Sequence, residues 1–130
     1  MRHKHKRATK LAPDAQKRSN LMRNLLTSLV LQGSIVTTFR RAKALCAEAD
    51  SFFAHLVKRS RQEDKAAARR VVINMLKQTL YTDEAGKKVL DEILPLWVQS
   101  EKMTGFVQAL KLGPRKGDAA EAMVVRLLTE

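Results

Sequence analysis

Few side chains in this sequence could do chemistry, and most of them can be weighed quickly. His3 and His5 stand two apart, so on an extended segment they would share a face and could ligate a metal with a third group. No Cys or acid lies near them, and Lys4 and Lys6 would repel a cation, so no metal site is expected. Cys46 and His55 are nine residues apart, about two and a half helical turns, which is too far for a thiol and its base on one helix. Cys46 reads instead as a small hydrophobe beside an apolar helix face. The acid pairs Asp83–Glu84 and Asp91–Glu92 read as helix-start and solvated-face charges. No GxGxxG, GxxxxGKS or HExxH pattern occurs. An enzyme, a cofactor and a small-molecule substrate are therefore not expected.

What remains is cationic. The chain holds 25 Lys/Arg against 13 acids, a net +12 in 130 residues. The excess is uneven: residues 1–61 carry fourteen Lys/Arg and three acids, a net +11, and the rest is nearly neutral. The basic groups fall in separate sets. The opening MRHKHKRATK supplies Arg2, His3, Lys4, Lys6, Arg7 and Lys10, and the next segment adds Lys17, Arg18 and Arg23, with Asn24 beside the last. Arg40, Arg41 and Lys43 follow, then Lys58 and Arg59, then Arg115 and Lys116 much later. Phosphates reward such a distribution, because each neutralised phosphate releases counterions and Arg offers a planar fork to phosphate oxygens. The opening tail has no apolar face, so it can lie in a groove and order as it binds. Structured RNA fits better than B-DNA, since no clear recognition helix or zipper is present. A DNA-binding nucleoid or regulatory protein is the alternative, and an adapter for acidic proteins or membranes is a third option.

The elements that must position these groups follow from periodicity. Residues 1–12 read as a basic RNA-binding tail closed by Pro13, and residues 13–130 as a single domain. From Asp14, Leu21, Leu25 and Leu29 step by four and predict a helix that stops at Gly33. Ile35, Val36, Thr37 and Thr38 are β-branched and predict a short strand, with Thr38 also placed to cap the next helix. That helix, about 39–58, carries Phe39, Ala42, Leu45, Ala49, Phe52 and Leu56 on one face. Arg40, Arg41 and Lys43 crowd its first turn, where cations oppose the helix dipole, and an anionic partner would relieve that. Ser60 and Glu63 have capping-box spacing and predict the start of a third helix. A fourth is predicted after Thr82, kinked or ended near Pro95. Two strands, about 105–112 and 121–128, flank a loop with Gly113, Pro114, Gly117 and Asp118. The sum is an α+β fold: four helices packed on a small three-stranded mixed sheet, with a basic N-terminal extension.

Composition bounds the class. The sequence is 45% apolar, enough for a core, and its single Cys rules out an internal disulfide framework and fits a reducing compartment. No apolar run approaches the roughly 18 residues of a membrane span. No apolar h-region follows the charged start, so a secretory signal is not expected. The tail also lacks the Ser content and amphipathicity of a transit peptide.

The stretch RNLLTSLVLQGSIVTTFRRAKAL, residues 23–45, resembles the bacterial large-subunit ribosomal protein seventeen family. The matching features are the opening Met1-Arg2-His3, Arg23-Asn24 before an apolar run, Ser28-Leu29, and Ile35, Thr37, Thr38, Arg41, Ala42 and Lys43. LKLGPRKGDAAEAMVV, residues 110–125, is similar again, with Gly113, Arg115, Gly117 and Asp118 in the loop. Two segments depart from the family pattern: Ala15-Gln16-Lys17-Arg18, where only the final Arg is kept, and Thr104 to Gln108, where the aromatic ring is kept as Phe106 but the hydroxyl and the Arg are lost. The resemblance spans nearly the whole chain. It implies a structural constituent of the large ribosomal subunit, in the cytoplasm. It further implies binding to large-subunit ribosomal RNA near the peptide exit tunnel, beside neighbouring large-subunit ribosomal proteins. In that setting Arg23 and Arg41 are expected to make fixed phosphate contacts. Thr37 and Thr38 are expected mainly to build the strand-to-helix junction and are also candidate RNA contacts.

Overall fold

The computed structural model describes residues 14–129. The tail, with Arg2, His3, Lys4, Lys6, Arg7 and Lys10, lies outside the described residues. The first helix, α1 (Ala15–Gln32), begins where the Asp14 carboxylate accepts the Gln16 N–H at 3.0 Å. It ends at Gly33, whose φ of 80° lets its N–H bond back to the Leu29 carbonyl at 2.8 Å. The chain then extends into β1 (Ser34–Thr38) and turns directly into α2 (Phe39–Ser60). Thr38 stands at the N-cap of α2, but its hydroxyl makes no capping hydrogen bond, contrary to the sequence expectation.

The third helix, α3 (Lys65–Thr79), starts later than the Ser60–Glu63 spacing predicts. The stripe of α2 carries that helix through Leu56 and Val57 to Ser60, and Asp64 takes over the capping role by accepting the Ala67 N–H at 3.2 Å. The fourth helical rod runs in three pieces: α4 (Asp83–Lys88), a π turn (Val89–Ile93) and α5 (Leu94–Gln99). The π turn answers the proline problem. Pro95 has no N–H and would crowd the carbonyl four residues back, so the helix widens just before it and Pro95 enters the first turn of α5.

The hairpin of β2 (Val107–Pro114) and β3 (Glu121–Leu127) completes a sheet of order β1-β3-β2. Both pairings are antiparallel, so the sheet is not mixed as the sequence suggested. The short loop forces β2 and β3 to run antiparallel. The distant β1 docks by the bond from the Leu127 N–H to the Gly33 carbonyl, 3.0 Å, which sets Ile35 opposite Val125 and Thr37 opposite Met123. A bulge between Lys111 and Gly113 shifts the register near the loop, and Gly113 takes a φ of 98° beside it.

One continuous core joins the helices to the inner sheet face. Leu29, Leu45, Phe53, Leu56 and Val125 are fully buried there. Its aromatic spine runs from Phe53 to Trp97 to Phe106, with centroids 4.9 and 4.7 Å apart in tilted or edge geometry. The Trp97 indole N–H reaches the Leu128 carbonyl at 2.8 Å, fixing the exit of β3 to α5. Asp50, half-buried on α2, accepts the N–H groups of Phe106 and Val107 at 2.9 and 3.1 Å and so anchors the start of β2. Phe106 is therefore a core residue.

Candidate nucleic-acid interface

The basic residues occupy ends of these elements, where side chains reach solvent. Arg40, Arg41 and Lys43 are exposed on the first turns of α2, and no acid accompanies them there. The Lys43 ammonium lies 4.6 Å from the Phe39 ring centroid, which leans it along the helix surface. The register brings the hairpin loop to this same end. Thr38 pairs with Ala122, and the next residue, Glu121, pairs with Pro114, so Arg115 and Lys116 lie at the same end of the sheet as the start of α2, across β3 from β1. Sequence spacing alone could not place residues 40–43 and 115–116 together.

The second group lies along the other end of α2. Lys58 and Arg59 are exposed in its last turn, where the helix dipole favours cations. They lie roughly 28 Å along the axis from Arg40. His55, one turn before Arg59, lines a groove that Arg18 of α1 also lines, so the first turns of α1 approach this end. Lys17 is exposed beside Arg18, and Asn24 is exposed two turns on. Arg69 and Arg70, exposed on α3, add cations that the sequence reading passed over because they sit in an otherwise ordinary helix.

Three of the expected contact residues carry internal duties. The Arg23 Nε–H donates to the Thr79 carbonyl at 3.2 Å, and its guanidinium lies 4.1 Å from the Tyr81 ring centroid. Arg23 thus ties the end of α3 to α1, and its remaining N–H donors are what a phosphate could use. Arg115 grips Asp118 with two N–H groups across the hairpin loop. That pair, together with the Ala120 N–H, holds the Asp118 carboxyl below the usual carboxylate range. Among the described residues, Lys116 is then the cation of the loop that has no carboxylate partner. Thr37 faces the helices opposite Met123 and is half-buried, a structural position at the strand-to-helix junction.

Charge pairing is sparse. Among the described residues, Lys111–Glu121 and Arg115–Asp118 are the ion pairs. Lys17, Arg40, Arg41, Lys43, Lys58 and Arg59 are exposed, and none has a carboxylate partner among the described residues. Burial, reinforced by the nearby Asp50 charge, pushes the Cys46 thiol up from its ordinary value, which leaves it a poor nucleophile. Among the described residues, no group of three His, Cys, Asp or Glu could hold a metal, and no helix is long and apolar enough to cross a membrane. His3 and His5 lie outside the described residues.

Comparison with known proteins identifies the family. The family model for ribosomal protein L17 matches residues 21–128. The large ribosomal subunit protein bL17 of Thermotoga neapolitana is 37% identical, over 98% of this chain and 95% of its own length. The bL17 proteins of Clostridium acetobutylicum and Staphylococcus carnosus are each 33% identical, over 92% of this chain and 95% and 97% of theirs. With a family match across helices, sheet and hairpin alike, this chain belongs to the ribosomal protein L17 family.

Proposed function

We propose that this chain is a structural, non-catalytic constituent of the large ribosomal subunit and that it binds ribosomal RNA through its cationic elements. The observation that carries the reading is the set of exposed cations at the two ends of α2 that have no carboxylate partner among the described residues, in a chain of net +12. A single run of exposed cations is ordinarily just solvated, but several separate sets in one strongly basic chain match the spaced phosphates of a nucleic acid, which reward each neutralised charge by counterion release. Arg41 and the remaining donors of Arg23 give fixed phosphate contacts, and Lys116 with Arg115 offers a second contact at the hairpin tip. Residues 1–12 act as an RNA-facing arm on a body formed by residues 13–130. In this reading the chain sits in the ribosome, in the cytoplasm, beside other large-subunit proteins and near the peptide exit tunnel, and its membership of the L17 family supports that setting.

Competition at one fixed salt concentration tests the reading. Labelled full-length protein is bound to large-subunit ribosomal RNA and challenged with duplex DNA of equal phosphate content. Retention on the RNA is the expected result. Equal competition by the DNA would favour the nucleoid or regulatory alternative and overturn this one.

A further inference from the structure

An open groove of about 490 Å³ lies between α1, α2 and α3. That volume is within the roughly 300–1,000 Å³ range of small-ligand sites. Met22, Leu26, Phe52 and Met75 supply its apolar lining. Arg18 and His55 supply cationic or polar edges, and Glu48 is its one acid among the described residues. Phe52 is only half-buried although its neighbour Phe53 is fully buried, so one ring of this adjacent pair fills the core and the other borders the groove.

We propose that this groove takes an unpaired RNA nucleotide, with guanosine preferred. The inference rests on the ribosomal-RNA reading above and names a site within it. Sequence-specific RNA recognition works on bases splayed out of the helix, stacked on aromatic or Arg planes and hydrogen-bonded on their edges. The groove holds each part of that arrangement. The Phe52 ring and the two thioethers suit the flat, polarisable face of a base. Arg18, with Lys58 and Arg59 a turn beyond His55, supplies the positive charge that a backbone phosphate needs at the mouth. A single carboxylate among cations would hinder a phosphate but serves a base. Guanine presents two adjacent N–H donors on its pairing edge, which match the two oxygens of Glu48. An acidic peptide would meet Glu48 unfavourably, and an apolar peptide would gain nothing from the cationic mouth.

The test uses full-length protein carrying ¹³C-methyl methionine and three RNA hairpins with one common stem. One has a bulged guanosine, one a bulged uridine, and one is fully paired. Methyl spectra and fluorescence anisotropy are read together. Met22 and Met75 should shift on saturation with the bulged-guanosine hairpin, while Met123 in the core and Met103 in the exposed turn stay in place. The bulged guanosine should bind about tenfold tighter than the paired stem, the size of one base stacked on an aromatic ring. Glu48→Gln, at an exposed position, should erase most of the preference for guanosine over uridine. Salt-sensitive binding of all three hairpins with silent Met22 and Met75 would overturn this proposal, keep the RNA reading, and leave the groove to a protein segment. Failure of every hairpin to bind would overturn both. Equal shifts from the paired stem would also overturn the nucleotide site.

Discussion

Asp50→Ala should unfasten the hairpin from the helices. In the native state the Asp50 Oδ1 accepts two backbone N–H groups, from Phe106 at 2.9 Å and from Val107 at 3.1 Å. Both residues are buried, so water cannot readily replace the carboxylate. A hydrogen bond to a charged group contributes about 1.5–3 kcal/mol, and an orphaned buried N–H costs about 1–3 kcal/mol. The two bonds share one oxygen and Asp50 is half-buried, so they do not add fully, and a loss of about 2–4 kcal/mol is expected. Against the 5–15 kcal/mol typical of folded domains, that is a large share. Trp97 is the sole tryptophan and touches Phe106, so its fluorescence in urea reports the transition directly. Asp50→Asn keeps a carbonyl acceptor without the charge and should recover about half of the loss. If Asp50→Ala shifted the transition by less than about 0.5 kcal/mol, the assignment of Asp50 as the anchor of β2 would be wrong.

Three further outcomes are expected. Replacing Arg40, Arg41 and Lys43 together by Ala should lower the log–log salt slope of RNA binding by about 2–3 units, and the fold should hold, because the dipole favours removing cations there; an unchanged slope would mean that this end does not face phosphate. Asp118 should titrate below the ordinary carboxylate range by NMR, and Arg115→Ala should move its midpoint back up. Because the folded-state value is depressed, the contribution of that pair to stability is present above the unfolded-state pKa and fades as pH falls through the folded one. A midpoint indifferent to Arg115→Ala would contradict the pairing. Ala119 holds a φ of 56° in the hairpin loop, so Ala119→Gly should stabilise the protein by about 1 kcal/mol in urea melts; a loss of stability would show that the left-handed turn carries no strain.

Much of this fold was legible from local pattern. The leucine spacing of α1, the stop at Gly33, the β-branched run of β1 and the two hairpin strands are all local signals, and each recurs in the structure. Features set by distant partners were not. Asp50 looked like one more helix acid, because its partners lie 56 and 57 residues away. Periodicity put Phe52 on the apolar face of α2, but both Phe52 and Phe53 fall within the width of one helical stripe, and tertiary packing buried Phe53 the more deeply. The start of α3 moved to Asp64 because a capping-box spacing is a weak signal inside a helix whose apolar stripe continues. The cationic sets were visible as composition. Their placement at one end of the sheet was not, because it depends on the register of β3 against both β1 and β2. The pairing of Arg115 with Asp118 and the hold of Arg23 on Thr79 likewise needed the folded backbone.

Membership of the large subunit is the claim on which the functional account turns. Epitope-tagged protein expressed in bacterial cells can be followed through sucrose gradients after a high-salt wash of the ribosomes. The account predicts that it sediments with the large subunit and stays there through the wash. Recovery at the top of the gradient, or release by the wash into a ribonuclease-insensitive complex, would contradict it.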